Sequence, residues 1–210
     1  MGDTHPRRLK AVTQSYGARA REYADALGSV EKLAPADIAL VTRWARGLGD
    51  TPSDQTVLDI GCGPGQWTQL LDASGVAVRG IDPVGEFVEL ARERYPDQAF
   101  ALGSAQATGA EEGSVDGVLC WYALIHGDAA ELRDGLSEFR RILRAGGGLA
   151  LGFFEGPAFE PFAHAITEAY FWPMAALVRE VESGGFTVTH TEARSDPGSR
   201  RHGALLAVRT

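Results

Sequence analysis

The sequence predicts an α/β domain built on a mostly parallel β-sheet. Three observations predict it. Between residues 56 and 154, short apolar runs alternate with helical segments, which is the order that gives parallel strands joined by right-handed crossovers. The first apolar run, Val57-Leu58-Asp59-Ile60, opens directly into Gly61-Cys62-Gly63-Pro64-Gly65. A strand that feeds a glycine turn and then a helix holds nucleotide-like ligands at the carboxyl edge of such sheets. The last two apolar segments, 186–193 and 204–209, are separated by a loop short enough for a hairpin, which makes the closing strand antiparallel.

The elements follow in order. Residues 1–8 are polar and read as a frayed tail. Residues 9–27 read as one helix, with Tyr16 and Tyr23 seven apart and so on one face. Gly28-Ser29 ends it, a second helix runs over 35–48 with Pro35 in its first turn, and 49–53 is a loop. Strands are expected at 56–60, 76–81, 98–102, 115–120 and 149–154, with helices at 66–73, 84–95 and 129–144 between them. Pro96 stops the second of these helices, and basic residues followed by Gly146-Gly147-Gly148 stop the third. The fourth strand is almost wholly apolar and so is expected to be buried on both faces. Residues 155–173 are rich in Phe, Pro and Ala and are expected as a cap segment; a helix over 174–183 and the final hairpin complete seven strands. The organisation expected is one domain over 1–210: a helical cap to residue 50, a ligand-binding core over 51–154, a small cap over 155–175, and a closing helix and hairpin over 176–210.

Composition narrows the function. The chain has 210 residues, 44% of them hydrophobic, enough for a sizeable core. A net charge of −8 argues against nucleic acid as a partner, and the short pairs Arg140-Arg141 and Arg200-Arg201 read as solvated faces rather than binding patches. Two cysteines, Cys62 and Cys120, are expected to be reduced packing residues of a cytoplasmic protein. No apolar run approaches the roughly 18 residues of a membrane span, and no signal-peptide core is expected at residues 1–10.

The glycine turn decides the ligand class. In a dinucleotide turn the third glycine falls one residue later than Gly65, where this chain has Gln66. A bulkier residue there spoils the close strand–helix approach of a pyrophosphate site, which counts against a nicotinamide-dependent oxidoreductase. The Gly-Lys-Ser/Thr of a phosphate loop is missing as well. Asp82, in Gly80-Ile81-Asp82-Pro83, lies about 20 residues past the turn, the spacing at which a carboxylate meets ribose hydroxyls. The alternative role for Asp82 is to cap the helix that begins near Val84.

The stretch VLDIGCGPGQ, the GID after the second strand and the FRRILRAGGGL before the fifth together resemble class I S-adenosylmethionine-dependent methyltransferases, over about residues 55–154. The resemblance implies a Rossmann-like sheet of seven strands with the last antiparallel, and S-adenosylmethionine as cofactor with S-adenosylhomocysteine as product. It implies that Gly61, Gly63 and Gly65 line the methionine half of the cofactor, that Asp59 lies beneath it, that Asp82 takes the ribose hydroxyls and that Pro83 packs on adenine. The family usually carries an Asp in the loop after the third strand; here Ser104 and Ala105 stand there and are expected to meet the adenine edge. The Cys120 carbonyl and Trp121 are expected near the methionyl amine or the open side of the cofactor, and Tyr16 on a helix that covers it. No metal is implied.

Methyl transfer needs alignment, exclusion of water and an unprotonated acceptor atom. His126, in the loop after the fourth strand, is the candidate general base, with capping or packing as the alternative role. Glu155 has a similar edge position but reads as a solvated acid, and His164 as a surface or packing residue. The aromatic cluster Phe153, Phe154, Phe159, Phe162, Tyr170, Phe171 and Trp172 either walls a pocket or packs the closing helices. The function expected is methyl transfer to an oxygen or nitrogen of a small, partly apolar metabolite. The alternatives are a nicotinamide enzyme and a protein that binds S-adenosylmethionine without catalysis.

Overall fold

The computed structural model describes residues 5–49, 56–196 and 198–210; residues 1–4 and most of the expected 49–53 loop lie outside them. Its core is the expected alternation: β1 (Thr56–Ile60), α4 (Gln66–Ala73), β2 (Ala77–Asp82), α5 (Gly85–Arg94), β3 (Ala99–Leu102), β4 (Val115–Trp121), α6 (Ala129–Ile142) and β5 (Leu143–Glu155). The strands stand in the order β3-β2-β1-β4-β5, all parallel. The order reverses at β1, so the loops after β1 and β4 diverge there and open a crevice at the carboxyl edge. β9 (His202–Arg209) adds antiparallel to β5, and β8 (Phe186–Arg194) pairs with β9 after α7 (Met174–Ser183). One face is packed by α6 and α7, the other by α3 (Pro35–Arg46) and α4. No helix among the described residues is long and apolar enough to cross a membrane.

Four departures from expectation have physical causes. First, helix starts at His5, inside the expected tail, and the helix expected over 9–27 is two: α1 (His5–Gly17) and α2 (Ala20–Leu27). The break falls after Gly17, where a Cβ would sit 2.8 Å from the Glu86 carboxylate of α5. Tyr16 and Tyr23 still meet, edge to face at 5.6 Å, because the corner folds them together over Phe87. Second, β5 begins at Leu143, six residues early. The glycine run is a bulge inside the strand, which lets Leu143 pair with Val115 and bury fully. Third, Gly117 and Gly148 are partners across β4 and β5, and a Cβ on either would strike Leu48 and the Trp44 indole. Two opposed glycines therefore seat α3 on the sheet.

The fourth departure bears on function. The cap segment contains a hairpin, β6 (Glu160–Ala163) and β7 (Glu168–Trp172), so the sheet of the described residues has nine strands rather than seven. Phe154 of β5 pairs with His202 of β9 on one edge and Phe171 of β7 on the other. β7 thus takes the edge that β4 leaves when it turns away after Trp121. Alternating Phe and Pro obscured these strands: Pro161 cannot donate to a ladder, which is tolerated because β6 is an edge strand.

Candidate functional site

The glycine turn is stitched to the end of β2. Gly61 and Cys62 donate their N–H groups to the Ile81 carbonyl at 2.8 and 3.0 Å, and Gly63 donates to Asp82 Oδ2 at 2.9 Å. Gly61, Gly63 and Gly65 all have positive φ, the left-handed region that favours glycine. Their surroundings differ. A Cβ on Gly61 would collide with Ala123 in the loop after β4, and one on Gly65 would lie 2.9 Å from the Phe100 ring. One on Gly63 would meet nothing within 4 Å, so open space faces this residue alone of the three. We expect Gly61→Ala to cost about 2–5 kcal/mol, from left-handed strain plus overpacking. Gly63→Ala should cost only about 1–2 kcal/mol, yet should weaken any ligand that lies on the turn. Thermal melts of the two variants check the contrast.

Two carboxylates lie buried beneath the turn. Asp82 Oδ1 accepts from the Val84 N–H at 2.8 Å while Oδ2 holds Gly63, so it ties the turn to the residue that precedes α5, and no side chain caps that helix. Each oxygen keeps a further acceptor site for a diol. Burial raises Asp82 to about 6 against the pull of both N–H bonds. Asp59 accepts from the Thr68 hydroxyl at 2.7 Å and from the Thr68 backbone, which caps α4 where no N-cap side chain does so. Burial raises it to about 7, and the Asp82 charge adds to the rise.

His126 is held at both nitrogens. Nδ1 lies 2.7 Å from the Glu168 carbonyl of β7, and Nε2 lies 2.9 Å from the Tyr16 hydroxyl of α1. A carbonyl only accepts, so Nδ1 carries the proton; the neutral ring then offers the Nε2 lone pair, and Tyr16 donates to it. Burial lowers His126 below the usual imidazole range and keeps it neutral near pH 7. Burial likewise pushes the Tyr16 phenol up, so it keeps its proton. His126 does not cap α6. Asp128 does, in a reciprocal capping box with Glu131, and Arg8 of α1 reaches Glu131 at 3.0 Å.

Five of the sequence-predicted residues, Gly61, Pro83, Ser104, Ala105 and His126, line one cavity of about 70 Å³ closed by Leu9 and Val12 of α1. Ser104 and Ala107 bond each other's backbones across a tight turn, which fixes the loop after β3. The others stand around the cavity. Tyr16 shares the Tyr23 and Phe87 cluster and reaches in through its hydroxyl. Cys120 packs on the α6 face, where burial pushes its thiol up to about 12. Cys62 packs in a separate cluster with Phe100, and both cysteines are free. The Trp121 indole departs from expectation. It is buried on the α3–α4 face against Trp67, because Gly152 opposite gives it room, and it does not line the cavity. Glu155 is tied to Arg201.

Sequence reasoning missed the hairpin's part in the site. The Glu168 carbonyl fixes the His126 tautomer, and the His164 ring lies 5.3 Å from that of His126. Backbone carbonyls carry no sequence signal. It missed Tyr122 too, the one non-glycine residue with positive φ among those described; its hydroxyl bonds His202 Nδ1. A bulky residue in this conformation is costly and marks a site the surroundings enforce.

Residues 57–147 match the model of a methyltransferase domain. That match covers the sheet core, under half of this chain, and makes the core similar to methyltransferase domains. An uncharacterised methyltransferase of Mycobacterium tuberculosis is 36% identical over 95 residues, 45% of this chain and 38% of the relative. A demethylmenaquinone methyltransferase of Beutenbergia cavernae is 35% identical over 123 residues, 57% of this chain and 50% of the relative. The chain thus spans half or less of the length of these curated relatives. In fold, this chain aligns over 100% of its length with 92% of a Burkholderia thailandensis 1,6-didemethyltoxoflavin-N1-methyltransferase, with a TM-score of 0.79 at 18% identity. That structure holds 1,6-didemethyltoxoflavin and S-adenosylhomocysteine.

Proposed function

We propose that this chain transfers a methyl group from S-adenosylmethionine to an oxygen or nitrogen of a compact, partly apolar small molecule. The observation that carries the reading is that Gly61, Pro83, Ser104, Ala105 and His126 converge on one cavity at the topological switch of the sheet. The glycine turn fits the cofactor. Its main chain is bare where Gly63 faces open space, and Asp82 lies beside it with a free acceptor site on each oxygen. Asp82 would hold the ribose diol, Pro83 and the Ser104-Ala105 turn would border the adenine, and Asp59 would lie under the methionine moiety. Tyr16 on α1 would cover the cofactor and the Cys120 carbonyl would meet the methionyl amine, while the Trp121 indole lies on the far face.

Bound there, S-adenosylmethionine supplies an electrophilic methyl group on a sulfonium. His126 supports the rest. Its Nε2 lone pair would take the acceptor's O–H or N–H proton as the sulfonium–methyl bond gives way to the acceptor–methyl bond and leaves the thioether, and the Glu168 carbonyl holds the ring to one tautomer. Tyr16 stands on that lone pair and gives way to the acceptor's proton. The cavity volume of about 70 Å³ is far below the roughly 300–1,000 Å³ of small-molecule sites, so α1, which lines it through Leu9 and Val12, would have to shift to admit the ligands. The relatives are named for different acceptors, a quinone precursor and a toxoflavin precursor, so the acceptor is set by this chain's own caps.

Incubation with a metabolite extract and labelled methyl donor tests the proposal. A labelled small-molecule product is expected, and none under any condition would favour a binding role. The pH dependence of S-adenosylhomocysteine binding has a definite sign. Asp82 must be ionised to accept two hydroxyls, and it titrates at about 6 in the free protein. Affinity should therefore fall as pH drops through 6, and Asp59, raised to about 7 beneath the methionine moiety, adds to the fall from that pH downward. Calorimetry at pH 5, 6, 7 and 8 checks it.

A further inference from the structure

Beyond the cavity, on the His126 side, the β6–β7 hairpin presents partly exposed rings. Phe154 meets Phe162 edge to face at 5.3 Å, His164 lies 6.2 Å from Phe154, and Tyr122 lies 5.0 Å from it. Each of these four is half-buried, neither closed into the core nor free, and His164 joins them to His126. Arg200 stands at the rim. Its guanidinium carbon lies 4.6 Å from the Phe162 ring centre, and Nη2 donates to the Ala163 carbonyl at 2.8 Å. Those contacts hold an exposed side chain in one orientation. Among the described residues no carboxylate pairs with Arg200, whereas the neighbouring Arg201 is paired with Glu155. On a chain of net charge −8, this rim is a local positive spot over an aromatic floor.

We propose that this hairpin and Arg200 form the acceptor subsite, and that it takes a planar aromatic ring carrying an anionic group. Offset and edge-to-face stacking selects the ring, and the guanidinium, already oriented, selects the charge. The ring's reactive hydroxyl or amine then points toward His126, whose ring meets that of His164 at 5.3 Å and which lines the cavity. The inference rests on the methyl-transfer reading for that last step, but ring and charge recognition are testable apart from it.

The test uses the whole chain and three probes: 4-hydroxybenzoate, phenol and cyclohexanecarboxylate. Binding is followed by ligand-observed NMR with S-adenosylhomocysteine present. 4-Hydroxybenzoate should bind at least tenfold more tightly than either the uncharged ring or the non-aromatic acid. Arg200→Gln should bring it down to the level of phenol, and Phe162→Leu should remove the advantage over cyclohexanecarboxylate. Both variants should keep the affinity for S-adenosylhomocysteine within twofold, which shows that they are folded. Equal binding of the three probes, or an Arg200→Gln variant that still prefers 4-hydroxybenzoate, overturns the subsite. Failure of S-adenosylhomocysteine to bind overturns the methyl-transfer reading instead, while the probe comparison still judges the subsite.

Discussion

Asp82→Ala should cost at least 100-fold in affinity for S-adenosylhomocysteine, the largest binding loss of any single substitution in this chain. Two losses combine. The carboxylate's two acceptor sites for the ribose diol disappear, and charge-assisted bonds of this kind are worth about 1.5–3 kcal/mol each. The Gly63 and Val84 N–H groups are also left buried without an acceptor, at about 1–3 kcal/mol each, so the turn itself loosens. Asp82→Asn separates these effects. An amide keeps one oxygen acceptor and presents donors in place of the other, so it retains one of the two backbone bonds and weakens the grip on the diol. Melting temperature should fall for Ala by several degrees and for Asn by less, while calorimetry should show both as poor binders. An Asp82→Asn variant that binds as tightly as the parent would assign this carboxylate to holding the turn alone.

His126→Ala should lower the methyl-transfer rate by about 10²–10⁴ on an acceptor with a proton to lose, with affinity for S-adenosylhomocysteine within a few fold. The split between rate and cofactor affinity is what marks a base rather than a prop. The substitution also removes the bonds to Tyr16 and to the Glu168 carbonyl, so some stability is lost with it. His126→Gln, which can still reach one of them, is the control for packing. The parent's pH profile has a fixed sign. Burial holds His126 below the ordinary imidazole range, and only the neutral ring can take a proton. At saturating methyl donor, which removes the contribution of Asp82, the rate should fall on acidification below the ordinary imidazole range, and this acid limb should be gone in His126→Gln. Full turnover by His126→Ala across pH 6–9 would make the ring a positioning group.

The parts of the site that sequence revealed are those where backbone geometry demands a particular residue type. The glycines are visible because few other residues adopt positive φ, and the acid one strand later and the histidine past β4 stand out by their spacing from that turn. The parts it concealed are relational. The capping of α4 by Asp59 depends on which way Thr68 turns, and the Trp121 indole is sent to the far face by the space over Gly152. The helix break after Gly17 depends on a carboxylate from α5, 69 residues away, which no local propensity encodes. The β6–β7 hairpin was hidden by its own composition, because a Pro-containing edge strand two residues from a Phe run lacks alternation. The contact that joins Tyr16 to His126 spans 110 residues; sequence placed each near the ligand, and the fold set them on one another.

Calorimetric titration of the purified chain with S-adenosylhomocysteine tests the central claim most directly. A single site per chain is expected, with a dissociation constant on the order of 1–100 μM, corresponding to about −8 to −5.5 kcal/mol. Absence of heat at millimolar ligand, for this thioether and for the methyl donor alike, would contradict it.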